Sequence, residues 1–142
     1  MLAGDIIMSK RIVNLLLCIS ALTLGCVFYV LFRPDSYVSA MFDKMPLIAF
    51  TREACEPYSC DFLNSYFLDY LWGVAFSCAF CAVFGDDSSL SVNLTVPFLC
   101  GCGWEILQWI GAVNGTGDIF DVIMYFLAAL TAYILNKKEK RK

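Results

Sequence analysis

The stretch "IVNLLLCISALTLGCVFYVLF", residues 12–32, carries no charged side chain over 21 positions. At about 1.5 Å rise per residue, a helix of that length crosses the ~30 Å hydrocarbon core of a bilayer. In lipid every backbone N–H and C=O must be paired within the spanning structure, which leaves helices and closed barrels. The apolar residues are continuous rather than alternating, so the segment predicts a helix and not a barrel strand.

Three further runs repeat the pattern, at residues 66–85, 90–110 and 118–135. The chain as a whole is 60% hydrophobic with a mean hydropathy of +0.70, well above a soluble domain. Its 142 residues suit one domain, 1–142. The expected fold is therefore all-α: a polytopic membrane bundle of four transmembrane helices. A cleaved signal peptide is the competing reading of the first run. That run exceeds the usual apolar core of about 7–15 residues, and no Ala-x-Ala-like site closes it, so a retained helix is expected. The leading "MLAGDII" precedes Met8, which offers an alternative start.

The basic residues set an expected orientation. Lys10, Arg11, Lys137, Lys138, Lys140, Arg141 and Lys142 flank the outer two spans at their terminal ends. Only Arg33, Lys44 and Arg52 fall in the long connection between the first two spans. The positive-inside rule then places both termini in the cytoplasm and the long first loop outside. Beside an apolar run the basic tail reads as a topology anchor, and no nucleic-acid partner is expected. Within the long loop, "SYVSAMFDKMPLIAF" is apolar but broken by Asp43, Lys44 and Pro46. It suits either a short interfacial helix or an ordered loop.

With that orientation, the polar residues inside the spans fall at one depth, toward the outer leaflet. Asp69 lies near the outer end of the second span, Glu105 and Gln108 near that of the third, and Asp118 and Asp121 near that of the fourth. Glu105 and Gln108 are three apart and share a helix face, as do Asp118 and Asp121. Trp72 follows Asp69 by three and Tyr125 follows Asp121 by four, which gives the carboxylates amphipathic aromatic support. Carboxylates inside a span are costly and face the bundle interior or a wet cavity, so a shared polar pocket is expected. The plainer alternatives are structural. Asp118 suits an N-cap of the last helix, and Glu105 and Gln108 can act as interhelical hydrogen-bond glue.

The chain has eight cysteines and no histidine. Six cysteines fall inside spans, where the residue behaves as a small hydrophobe. "CAFC" at Cys78 to Cys81 lacks the strand-helix context of a redox motif. Cys55 and Cys60, in "CEPYSC" of the loop expected outside, predict a disulfide. No nucleotide-binding loop, nucleophile elbow or zinc motif is present, so no cofactor or metal is expected and no catalytic set is assigned.

"EILQ", a short turn, then "GDIFD" opening the last apolar span resembles the VanZ-like family of small bacterial membrane proteins. That family shows Glu-x-x-Gln ending one span and Asp-x-x-Asp opening the next. The Asp-x-x-Trp of "DYLW", at the entry to the preceding span, also looks like its members. The resemblance covers residues 69–135 and points to Glu105, Gln108, Asp118 and Asp121, with Asp69 and Trp72 beside them. Three positions depart from the pattern: Gly115 stands where members carry Arg, Tyr125 where they carry Asn, and Ala128 where they carry Gly. The resemblance implies a multi-pass protein of the bacterial cytoplasmic membrane, and its prototype is linked to glycopeptide (teicoplanin) resistance. The expected function is an accessory or binding role in the cell envelope, with an envelope lipid or a partner membrane protein at the carboxylate pocket. The alternatives are a small cation or proton pathway, and an intramembrane carboxylate enzyme acting on an envelope lipid.

Overall fold

The computed structural model describes the backbone at residues 3–33, 37–85 and 89–137, and side chains there except at 3–9, 37, 38, 61 and 63. The end of the basic tail (138–142) and the turn at 86–88 lie outside the described residues. Four long helices dominate: α1 (Ala3–Phe32), α5 (Tyr66–Phe84), α6 (Leu90–Trp109) and α7 (Ile119–Asn136). Three of them match the expected spans to within a residue at each end. α1 begins well before its apolar run, passing through Lys10 and Arg11, because nothing in "AGDIIMSKR" breaks a helix. All four are long and apolar enough to cross a membrane, with mean hydropathies of 2.5, 1.7, 1.3 and 1.8. No strand occurs among the described residues.

The long connection holds α2 (Tyr37–Ala40), α3 (Pro46–Cys55), a 3-10 turn (Glu56–Tyr58) and α4 (Asp61–Asn64). Pro46 opens α3, a position where its missing N–H costs nothing. Arg52 fixes this segment to the end of α1: its Nε donates to the Val30 carbonyl at 2.8 Å, and its guanidinium reaches Asp43 and Ser39. Leu47 and Phe50 stay 73% and 71% exposed. Such an outward apolar face suits a helix lying at a membrane surface better than a loop in water. The Cys55–Cys60 bridge expected from the sequence is not formed, and both thiols are free. The 3-10 turn continues from α3, and Ser59 after it is extended.

α5 is the centre of the bundle and packs against each of α1, α6 and α7. It buries Leu68, Leu71, Val74, Ala75, Ser77, Cys78 and Cys81. The contact faces are built from small residues, as close helix approach in lipid requires. Ala128 and Ala132 of α7 are fully buried, and a Cβ added at Gly73 would lie 2.7 Å from that of Ala128. Most other side chains in the spans point outward, Leu16, Leu99, Ile134 and Leu135 among them. Lipid tolerates that surface and water does not.

Paired contacts fix the relative directions. Phe28, near the end of α1, stacks edge-on against Phe67 at the start of α5. Asn14, near the start of the apolar run of α1, meets Asn136 at the end of α7. α1 and α6 therefore run opposite to α5 and α7. The Asn14–Asn136 pair is reciprocal, with amide bonds of 2.7 and 3.0 Å, and each amide gives its second N–H to a carbonyl of its own helix. Every amide proton of this intramembrane pair is thus satisfied. Tyr70 and Thr131, 3.0 Å apart, tie α5 to α7 midway.

Candidate functional site

The opposite end of the bundle from Asn14 gathers the carboxylates. The link between α6 and α7 creates the geometry. α6 ends at Gly111, whose φ of +70° suits a left-handed cap. The Gly111 N–H donates to the Gln108 carbonyl at 3.0 Å and the Ala112 N–H to the Leu107 carbonyl at 2.8 Å, the paired bonds of a Schellman motif. The chain then turns through Asn114 and Gly115 to Asp118. Asp118 caps α7, its Oδ1 accepting the Phe120 N–H at 2.9 Å. Its Oδ2 accepts the Tyr66 hydroxyl of α5 at 3.0 Å.

Glu105 is the hub. It is only 2% exposed, among the most buried large side chains of the chain. Its Oε2 accepts the Asp118 N–H at 3.1 Å, so a carboxylate on α6 helps to cap α7. With its amide oriented to satisfy both neighbours, Gln108 donates to the same Oε2 at 3.1 Å and accepts from Trp104 Nε1 at 3.1 Å. The Tyr125 hydroxyl lies 3.3 Å from Glu105 Oε1 and 3.3 Å from Asp69 Oδ1. A phenol has one proton, so the two carboxyl groups share one donor. Asp121, in the first turn of α7, faces Asp69, and its buried Oδ1 meets no donor among the described residues.

All five polar residues singled out from the sequence, Asp69, Glu105, Gln108, Asp118 and Asp121, thus converge at one end of α5, α6 and α7. Tyr125 stands between them. Trp72 does not join the cluster: it is 45% exposed and lines an apolar groove beside it. Sequence reading missed three contributors. Tyr66 lies three before Asp69 and Trp104 four before Gln108, so helical spacing alone marks both as neighbours. Arg33 acts electrostatically on Asp69 from the far end of α1, and no local pattern announces it. Its Nε is held by the Asn64 carbonyl at 2.8 Å, and its guanidinium lies over the Tyr29 ring.

Gly115 has a structural cause. Its φ is +132°, and a Cβ there would lie 2.3 Å from the end of the Gln108 side-chain amide. A side chain at that turn is strained, and Gln108 would have to move to admit it. Among the described residues, no three carboxylates or thiols converge as metal ligands would. The site is acceptor-rich and set inside apolar walls, so it is chemically suited to hydrogen-bond donors and cations. Comparison with protein-family models, with curated proteins and with solved structures finds no match.

Proposed function

We propose that this chain is a VanZ-like multi-pass protein of the bacterial cytoplasmic membrane, with both termini in the cytoplasm. Its carboxylate pocket opens toward the outer leaflet. The role is accessory or binding, directed at an envelope lipid or a partner membrane protein and linked to glycopeptide response. The observation that supports this best is Glu105: a buried carboxylate that joins the ends of α6 and α7 and shares the Tyr125 hydroxyl with Asp69. Intramembrane carboxylates arranged in this way mark sites by default. The motif Glu105-x-x-Gln108 with Asp118-x-x-Asp121 adds the family reading. A proton pathway is the weaker reading, because α5 and α7 carry no Asp, Glu, Lys or Arg beyond Asp69 and Asp121.

The test compares cells expressing wild type, Glu105→Gln and Asp121→Asn at matched protein level. The readouts are envelope lipid composition, growth in teicoplanin, and proton flux in liposomes. Both substitutions should shift lipid composition or teicoplanin growth and leave flux at background. Unchanged lipids and growth in both variants would make the cluster purely structural and defeat the proposal. Flux that is lost in the variants would replace it with the pathway.

A further inference from the structure

Helix α3, Pro46–Cys55, has three distinct sides. At about 100° per residue, Ile48, Arg52 and Cys55 fall on one of them, and each is partly covered. α1 is the long helix that α3 packs on, and Arg52 makes the bond to it. Leu47, Phe50 and Ala54 fall together on a second side, opposite Arg52. All three are exposed, Leu47 at 73% and Phe50 at 71%. Ala49 and Glu53 mark a third side, also exposed. Met45 before the helix and Tyr58 after it add further exposed apolar surface. A contiguous apolar stripe of this kind marks a surface that is covered in the cell.

The attachment of α3 sets its depth. Arg52 Nε donates to the Val30 carbonyl at 2.8 Å, and the buried Ser39 hydroxyl donates to the same carbonyl at 3.4 Å. Val30 lies two residues, about 3 Å of rise, inside the end of α1. The apolar part of α1, Lys10–Phe32, has 23 residues and is about 34 Å long. The hydrocarbon core of a bilayer is about 30 Å thick. The last turn of α1 therefore lies at the edge of the hydrocarbon, and a helix about 10 Å wide held against it lies there too. One turn earlier, Val27 of α1 already points outward, 46% exposed. The nearby charges suit this place, because Arg52 is paired with Asp43 on the side away from the stripe. A protein partner fits less well. Ten residues make a face about 15 Å long and 10 Å wide, about 150 Å², far short of the roughly 800 Å² per partner of a stable interface.

We infer that α3 lies in the boundary between headgroups and acyl chains, with Leu47, Phe50 and Ala54 against the acyl chains, and that it anchors the connection between α1 and α5 to the bilayer. Amphipathic helices bind in this way, with the apolar face about 5–10 Å into the boundary. The inference goes beyond the function proposed above. It needs neither the carboxylate pocket nor a choice of cytoplasmic side, only that the four long helices span.

The full chain is expressed with photoreactive p-benzoylphenylalanine at Leu47, Ala49, Phe50 or Leu99, one position at a time. Each protein is irradiated in bacterial membranes and weighed intact by mass spectrometry. Leu99, 58% exposed on α6, reports how a span meets lipid. Phe50 and Leu47 should each gain the mass of one phospholipid, at a yield comparable with that at Leu99. Ala49, on the third side of α3, should gain it severalfold less often. Using two positions on the stripe keeps the test decisive if one variant fails to accumulate. Lipid adducts at Leu99 but at neither Phe50 nor Leu47 would place the stripe away from the bilayer and overturn the inference. Equal yields at Ala49 and Phe50 would overturn the one-sided contact. Cross-links from Phe50 and Leu47 to a second copy or to another protein would make the stripe a protein interface and overturn it as well. The teicoplanin and envelope-lipid readouts above bear on the pocket alone, so the two proposals fail separately.

Discussion

Replacing Glu105 asks whether hydrogen-bond geometry or charge holds the ends of α6 and α7 together. The side chain takes the Asp118 N–H and the Gln108 amide on Oε2, and the Tyr125 hydroxyl on Oε1. In Glu105→Ala the Tyr125 hydroxyl can turn wholly to Asp69, 3.3 Å away. The Asp118 N–H and the Gln108 amide cannot. An orphaned buried donor costs about 1–3 kcal/mol in water-soluble proteins. Interhelical bonds in lipid run lower, nearer about 0.6 kcal/mol. Two orphans at the low end of the first range give about 2 kcal/mol. The void left at a site that is 2% exposed adds about 1 kcal/mol more. The total, about 3 kcal/mol, is a change of about a hundredfold in the folding equilibrium. Glu105→Gln keeps an oxygen for both donors and offers N–H to the Tyr125 oxygen, so it should cost under about 1 kcal/mol. Reversible unfolding in mixed micelles, followed by circular dichroism, ranks the three proteins. Wild type and Glu105→Gln should unfold together, and Glu105→Ala well before them. A Glu105→Gln variant as weak as Glu105→Ala would show that charge, not geometry, holds the clamp. A Glu105→Ala variant as stable as wild type would show that there is no clamp.

The far end of the bundle offers a control that leaves the pocket untouched. A double-mutant cycle on Asn14→Ala and Asn136→Ala should show a coupling of about 1 kcal/mol in the same micelle assay; additive losses would mean that the reciprocal bonds do not tie α1 to α7. At the turn, Gly115→Arg should cost about 1–3 kcal/mol, because φ is +132° and Gln108 blocks the side chain. An unchanged or raised stability would mean that the turn accepts a long side chain there.

Much of this architecture is legible in the residues, because its causes are local. Continuous apolar runs bounded by Arg33, Ser89 and Asp118 mark the helices to within a residue, apart from the start of α1. Residues three apart mark Glu105 with Gln108 and Asp118 with Asp121 as neighbours, and antiparallel spans bring Asp69 alongside. What escaped the sequence depends on contacts between helices. Tyr125 is legible as aromatic support for Asp121, but its reach between Asp69 and Glu105 depends on the absence of a side chain at Gly101 on α6. Trp72 has the right spacing to accompany Asp69, yet it faces the groove, because a residue three along shares a helix side without sharing a neighbour. At Cys55 and Cys60 the spacing does not say whether the two thiols meet, and both are free in the structure.

The residues around the cluster fit one another across helices. Arg33, anchored by Asn64 and stacked on Tyr29, acts on Asp69 from the end of α1. The long reach of Tyr125 needs Gly101 opposite, because a Cβ there would lie 2.6 Å from its ring. Ala128 is accommodated because Gly73 yields the space on α5. Tyr125→Asn would therefore leave the space beside Gly101 empty and remove the donor that Asp69 and Glu105 share. Tyr125 and Gly101 accordingly act as a pair, with the central donor of the cluster placed where the apolar groove meets the carboxylates.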